Sequence, residues 1–417
     1  MKKKIWIFNH YATNMFKDQN GRHYAFSKYL LKSGHQPTIF CASTLHNSDE
    51  DFSVEKQIYT TDEVNQIPFV FVKTPHYEGN GWKRVKNMLI FYKNLFSVSK
   101  EYAKLHGKPD VIFASSVHPL TCVAGIKIAK KFGIPCICEI RDLWPESIVD
   151  YGLINKKSLF TKLMYKGEKW IYKKCDRLIF TMEGGRDYII EKGWAKENGG
   201  PIDLEKVTHI NNGVDLEAFE INRAQWTFED QDLDNNNLFK VVYAGSIRKA
   251  NNVKKIIDIA QVIQERGHSH IKFLIYGRGP EKENLEVYCK ENRIENVIFK
   301  GYIEKRKIPY LLSKCHLNIM HIENTHLKKY GASLNKMFEY FASGRPTITD
   351  CEFGYDLLKK YQCGIVRDGA TSEQLADAII EVSNPNSEVY ETYCQNARIA
   401  ASDYDFKLLT KKLEQLL

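Results

Sequence analysis

Lys336 and Glu339 stand one helical turn apart in a stretch, residues 330–346, that reads Tyr-Gly-Ala-Ser-Leu-Asn-Lys-Met-Phe-Glu-Tyr-Phe-Ala-Ser-Gly-Arg-Pro. A lysine in the first turn of a helix adds a full charge to unpaired N–H groups and the positive end of the helix dipole, which together suit a phosphate. A carboxylate one turn on is placed to accept hydrogen bonds from two neighbouring hydroxyls, such as the diol of a ribose. The plainer alternative is a surface helix carrying a Lys–Glu pair. His118, followed by Pro119, comes directly after an apolar run, where a histidine is either structural or a catalytic contact. Glu139, Arg141, Asp142 and Trp144 crowd the end of another such run, as a salt-bridged turn or as the wall of an acceptor pocket. Asp230-Gln-Asp232 has the look of a metal-binding Asp-x-Asp, but it sits in a polar, Asn-rich connector, 228–237, and is discounted as a metal site.

The elements that must hold these groups follow from periodicity. Leu334, Met337, Phe338 and Phe341 recur at i, i+3, i+4 and i+7, an amphipathic helix that Ser333 is expected to cap and Gly344 with Pro346 to end. Around it the chain alternates apolar strand-like runs with helical patterns. Runs at 4–8, 38–42, 69–72, 110–116, 135–140 and 176–181 belong to a first half, and runs at 241–245, 271–276, 296–301, 317–321, 347–349 and 364–366 to a second. Residues 45–81 otherwise read as loops. Such alternation predicts two α/β halves with parallel sheets, in which ligands bind outside the carboxyl ends of the strands. Gly21 stands alone after the first strand, so the Gly-x-Gly-x-x-Gly dinucleotide fingerprint is missing and an NAD-dependent enzyme is disfavoured.

At 417 residues two domains are the default, and their expected bounds are 1–220 with 401–417, and 221–400. The composition, 43% hydrophobic and 27% charged, is that of a soluble globular protein. The apolar run at the start ends at Asn9 after four residues, so it is a strand and not a signal peptide, and no run approaches the ~20 residues of a membrane span. Ten scattered cysteines without Cys-x-x-Cys spacing read as buried thiols of a cytoplasmic protein. The net charge of +9 is uneven: residues 1–200 hold 31 Lys and Arg against 20 Asp and Glu. Two basic helical patterns, 82–105 and 156–174, carry much of that excess. With tryptophan and phenylalanine among their apolar residues, they suit peripheral attachment to an anionic membrane. Nucleic acid is the competing partner for that charge, and no zinc-finger, homeodomain or RNP pattern accompanies it.

Four features converge on one family: the Gly21 loop, the His118-Pro119 pair, Asn211-Asn-Gly-Val-Asp215, and 333–346 with Glu339. Over nearly its whole length the chain resembles the family 4 retaining glycosyltransferases of GT-B architecture. Arg141-Asp-Leu-Trp-Pro145 makes it most similar to bacterial transferases that build capsule or O-antigen units from N-acetylated sugars. The resemblance implies two Rossmann-like domains facing a cleft, with a C-terminal helix crossing back to the first. It implies that Glu339 binds the ribose and that the N–H groups of Leu334, Asn335 and Lys336, following Ser333, face the diphosphate. His118 would contact the donor sugar, Gly21 would admit the leaving phosphate, and the backbone at Tyr302 and Ile303 would read the base. The chain departs from the pattern at three places. Gly331 stands where the first glutamate of the family's Glu-x7-Glu motif belongs, and Ser246 and Asn252 stand where its usual arginine and lysine fall. Arg248 or Lys249, with Lys336, are the replacements at hand.

The resulting expectation is a metal-independent, retaining hexosyltransferase without a cofactor. It would move a sugar from a UDP-linked donor to a lipid-linked or saccharide acceptor at the inner face of the cell membrane. The rival from another class is a non-catalytic GT-B subunit with a degenerate donor site.

Overall fold

The computed structural model describes residues 2–417 except 46, 47, 49, 54, 55, 80 and 324. The chain divides into two compact units, Met1–Asn211 with Phe406–Leu417, and Asn212–Asp405. In the first unit eight strands, β1 (Lys4–Phe8), β2 (Gln36–Ala42), β3 (Tyr59–Val64), β4 (Ile67–Val72), β5 (Val111–Ser116), β6 (Cys136–Ile140), β7 (Arg177–Phe180) and β8 (Val207–His209), form one sheet in the order β3-β4-β2-β1-β5-β6-β7-β8. Every pairing is parallel except β3 with β4. Strands covered on both faces must be apolar throughout, which is why Ile-Trp-Ile-Phe in β1 and Val-Ile-Phe-Ala in β5 are continuous runs and fully buried. The strand order reverses between β1 and β5, so the loops leaving those two carboxyl ends meet at the switch point where such sheets bind ligands.

The second unit repeats the logic with six parallel strands, β9 (Phe239–Ala244), β10 (Ile271–Tyr276), β11 (Val297–Gly301), β12 (Leu317–Met320), β13 (Thr347–Thr349) and β14 (Gly364–Val366), ordered β11-β10-β9-β12-β13-β14. Its switch point lies between β9 and β12, beneath the loops that precede Arg248 and Lys336. Helix Val253–Glu265 turns Ile256, Ile257, Ala260 and Ile263 into the core, the stripe that a 3.6-residue period demands. Helix Asn335–Ala342 does the same with Met337, Phe338 and Phe341.

Helices Trp82–His106 and Leu159–Lys174 both pack against helix Pro119–Phe132, so the two basic helices share one layer on the first sheet. The last helix, Phe406–Glu414, belongs to the first unit and packs on helix Arg22–Lys32, with the Phe26 and Phe406 rings 5.5 Å apart. That is the crossing-back that the sequence led us to expect. Other expectations need correction. Tyr59–Val64 was read as loop because Thr-Thr-Asp-Glu is polar, yet it is the antiparallel edge strand, where polar residues protect unpaired backbone. Residues 46, 47, 49, 54, 55 and 80 of the same loop reading lie outside the described residues. The connector 228–237 contains helix Gln231–Asp234, capped by the Asp230 side chain, and a 16-residue helix, Glu388–Asp403, precedes the last one.

Candidate functional site

In the second unit, Lys336 rises from the first turn of helix Asn335–Ala342 to lie over the Tyr243 ring, 4.6 Å from its centroid and 3.5 Å from its hydroxyl. Tyr243, next to last in β9, donates to the Ser246 carbonyl at 2.8 Å, and Asn251 Nδ2 donates to that carbonyl at 2.7 Å, so the loop carrying Arg248 and Lys249 is held at both sides. Arg248 and Lys249 are exposed, while Lys336 is half-buried and pairs with no carboxylate among the described residues. Burial, then the Arg248 charge, push the Lys336 ammonium down to about 8, against an upward pull from Glu339. A cation with much of its solvation stripped and no ion-paired carboxylate among the described residues is a cation prepared for an anion.

The start of that helix differs from expectation. Leu334 occupies the N-cap and makes no side-chain cap, because the Ser333 hydroxyl instead accepts from the Asn212 N–H at 3.2 Å while Asn212 Nδ2 donates to the Ser333 carbonyl at 2.8 Å. The helix N-terminus is therefore left uncapped by side chains, and Asn335 is exposed beside it. Glu339 is ion-paired with Lys305, which ties the helix to the loop after β11. Tyr302 in that loop is 60% exposed and lies under the Arg278 guanidinium at 4.5 Å, with Ile303 half-buried next to it. Gly331 has φ +94°, immediately after a 3-10 turn.

In the first unit, Gly21 has φ +110° at the N-cap of helix Arg22–Lys32, and a Cβ there would meet Met15 Cγ at 3.1 Å. His118 is the N-cap of helix Pro119–Phe132 at the end of β5, buried to 1% exposure, with Nε2 2.6 Å from His10 Nδ1. Burial, the neighbouring His10 and Arg84 all lower its pKa well below the ordinary histidine value. Glu139, expected at an acceptor surface, is fully buried, which removes it from such a surface. It accepts from Arg22 Nε at 2.6 Å, His23 Nε2 at 3.1 Å and Ser115 Oγ at 2.8 Å. Burial alone would raise this carboxyl, but the Arg22 and His23 partners hold it well below the usual carboxylate range. Since Arg22 also donates to the carbonyls of Ile210 and Asn211, the cluster ties the Gly21 helix to β6 and to the chain after β8. Arg141 and Trp144 are half-buried and Asp142 is exposed.

Sequence reasoning missed His10, Asn87, Arg22, His23 and Tyr243. A signal existed for two of them. His10 follows β1 as His118 follows β5, and adjacent parallel strands bring such positions together. Asn87 is an amide on the buried side of a helix otherwise occupied by Met88, Phe91 and Leu95. The Asp-x-Asp pair is engaged from within the unit, because Lys300 Nζ lies 2.8 Å from Asp230 and 2.5 Å from Asp232.

Two such units, each with its charged or hydrogen-bonding groups gathered at the switch point of a parallel sheet, define the GT-B class. Residues 23–218 match the family model described as Glycosyltransferase Family 4 and residues 224–399 the one described as Glycosyl transferases group 1, which places the chain among the glycosyltransferases. A curated relative, "Probable glycosyltransferase WbjE" of Pseudomonas aeruginosa, is 20% identical over 272 residues, 65% of this chain and 64% of that one, so the chain spans a little under two thirds of that protein. Sucrose-phosphate synthase from Thermosynechococcus elongatus superposes with TM-score 0.69 at 14% identity, covering 100% of this chain and 98% of that one. Anabaena Alr3699/HepE in complex with UDP gives TM-score 0.67 at 14% identity, covering 100% and 99%. At such identities the likeness is one of fold.

Proposed function

We propose that the protein is a retaining, metal-independent glycosyltransferase that moves an N-acetylated hexose from a UDP-linked donor to a lipid-linked or saccharide acceptor in surface polysaccharide synthesis. The observation that carries this reading is Lys336, a desolvated cation with no ion-paired carboxylate among the described residues, at a helix N-terminus that no side chain caps. Negative charge grows on the departing diphosphate as the glycosidic bond breaks, and preorganised cations and N–H groups aimed at it stabilise that state. Lys336 and Arg248, with the N–H groups of Leu334, Asn335 and Lys336, supply them, taking the part that a metal plays elsewhere. Gly21 leaves room for a phosphate to approach its backbone, Glu339 exchanges Lys305 for the ribose diol, and the loop at Tyr302 and Ile303 meets the base. Arg141, Asp142 and Trp144 are the acceptor-side candidates.

Within a retaining reaction, four carboxylates speak against a covalent glycosyl-enzyme. Glu139 is buried in its ion pair, Glu339 is held by Lys305, and Asp230 and Asp232 by Lys300, so none of these four is poised as a nucleophile, which supports attack of the acceptor from the face the diphosphate leaves. The complex of the structural neighbour with UDP supports the choice of nucleotide. The protein works at the inner face of the membrane as a peripheral protein, held through the basic helices. No described helix is long and apolar enough to cross a bilayer.

A panel of UDP-sugars offered with a lipid-diphosphate sugar acceptor in excess chelator tests the reading. UDP release with one donor, and an α-linked product from an α-linked donor, is the expected result. Binding of UDP with no release from any donor would favour a non-catalytic subunit, for which Gly331 in place of a glutamate is the motivating feature. Release only after added divalent metal would overturn the metal-independent mechanism.

A further inference from the structure

Asn87 lies in the second turn of helix Trp82–His106, fully buried, and its amide cannot be turned round. Nδ2 donates to the Pro75 carbonyl at 2.6 Å and to Thr44 Oγ1 at 3.1 Å, and a carbonyl can only accept. Oδ1 therefore faces His10 Nε2, 2.6 Å away, and that nitrogen must carry a hydrogen. The His10 ring is clamped between Tyr11 and Phe91, each 4.5 Å away and within 12° of parallel, so it has no freedom to swap its nitrogens. With Nε2 protonated, a neutral His10 presents a lone pair at Nδ1, and His118 Nε2, 2.6 Å from it, must be the donor. Both rings are 1% exposed, and the guanidinium of Arg84 sits over Tyr11 close by, so a second proton on the pair is disfavoured by burial and by charge. A neutral His118 protonated at Nε2 is left with a bare lone pair at Nδ1. That atom is buried and has no hydrogen-bond partner among the described residues.

We propose that Asn87 and His10 are positioning residues that set the tautomer of His118, so that His118 offers Nδ1 as an obligate acceptor to a hydroxyl of the sugar being transferred. The last clause rests on the proposed glycosyltransfer and on the donor-sugar contact that the family resemblance implies for His118; the tautomer itself does not. In this arrangement His118 orients a hydroxyl and moves no proton. The polarity is reversible by one atom at the far end. A carboxylate at position 87 would hold His10 as an imidazolium, His10 Nδ1 would then donate, and His118 would accept at Nε2 and carry its proton on Nδ1.

The test is imidazole nitrogen NMR on the sugar-free, full-length protein labelled with 15N-histidine, with His118 assigned by loss of its signals in His118→Gln. The expected result is a protonated Nε2 and a bare Nδ1 on His118 in the native protein and the reverse in Asn87→Asp. In the donor assay that variant should lose about tenfold to a hundredfold in kcat, the scale found when the outer hydrogen-bond partners of metal-bound histidines are removed, with KM little changed. His10→Gln, whose amide oxygen can still accept from His118, should keep the native tautomer, while His10→Leu should give a mixture; these two decide the matter where Asn87→Asp does not fold. A native His118 protonated at Nδ1, or a tautomer indifferent to both Asn87→Asp and His10→Leu, overturns the proposal. Tautomers as expected in a protein that transfers no sugar would leave the relay standing and remove the glycosyltransfer reading instead.

Discussion

Lys336 bears an electrostatic cost that Tyr243 and Glu339 offset only in part. Its pKa is pushed from 10.5 down to about 8, chiefly by burial and then by Arg248. Between those two values the unfolded chain holds a proton that the folded chain has released, so stability rises with pH across that window, and below pH 8 the penalty is felt in full. Lys336→Met should therefore stabilise the ligand-free protein at pH 7 by about 1–3 kcal/mol, after allowance for partial exposure, as read by thermal melting. The same variant should lose UDP affinity, and the native protein should bind UDP more weakly, with proton uptake, as pH climbs past 8. Destabilisation by Lys336→Met would mean that the ammonium is satisfied internally, and the anion site would have to be sought elsewhere.

At the scale of elements, the loop before that helix is shaped around a glycine. Gly331 has φ +94° with ψ 179°, a region that residues with a Cβ essentially do not enter, at a cost of about 1–3 kcal/mol. The glutamate that the resemblance places there is thus not one substitution away: Gly331→Glu should lower the melting temperature without raising activity, and a variant both stable and more active would show that the loop adapts. This also marks where the sequence stopped being legible. The helix, its apolar stripe and the position of Lys336 all follow from a 3.6-residue period and were readable. Its cap was not, because Ser333 is a good capping residue by type, and only the fold brings Asn212, 121 positions earlier, to claim its hydroxyl. Glu139 misled in the same way. A carboxylate beside Arg141 and Trp144 looks like a pocket, but strand alternation points it inward, where Arg22 and His23 wait from another element. Periodicity reports which face is buried, and long-range polar partners leave no periodic trace.

Across the whole molecule the first unit combines positive charge with apolar side chains left in water, and the two basic helices differ in how they do so. Helix Trp82–His106 spends its stripe of Phe91, Leu95 and Val98 on the core and leaves Trp82, Val85 and Leu89 near its start and Leu105 at its end exposed, spread along its length. Helix Leu159–Lys174 exposes Leu159, Phe160 and Leu163 at 84%, 64% and 65%, after an exposed Leu153 at 74%, with Lys156, Lys157, Lys162 and Lys166 around them. A second copy of the chain is a poor cover for this patch, since a symmetric contact would set lysines against lysines. An anionic bilayer answers both features. Each lysine near such a surface contributes about 1 kcal/mol, and partial burial of the three apolar side chains of the helix adds about 2–5 kcal/mol. Replacing Leu159, Phe160 and Leu163 by serine should then weaken binding to phosphatidylglycerol-containing vesicles by about thirtyfold or more. Replacing the four lysines by glutamine should leave a weaker binding that salt affects less, because screening acts on the charge and not on insertion. Vesicle flotation at low and high salt separates the two contributions. Retention of full affinity by the serine variant would reduce the attachment to electrostatics alone, and flotation of neither the native protein nor the variants would end the membrane reading.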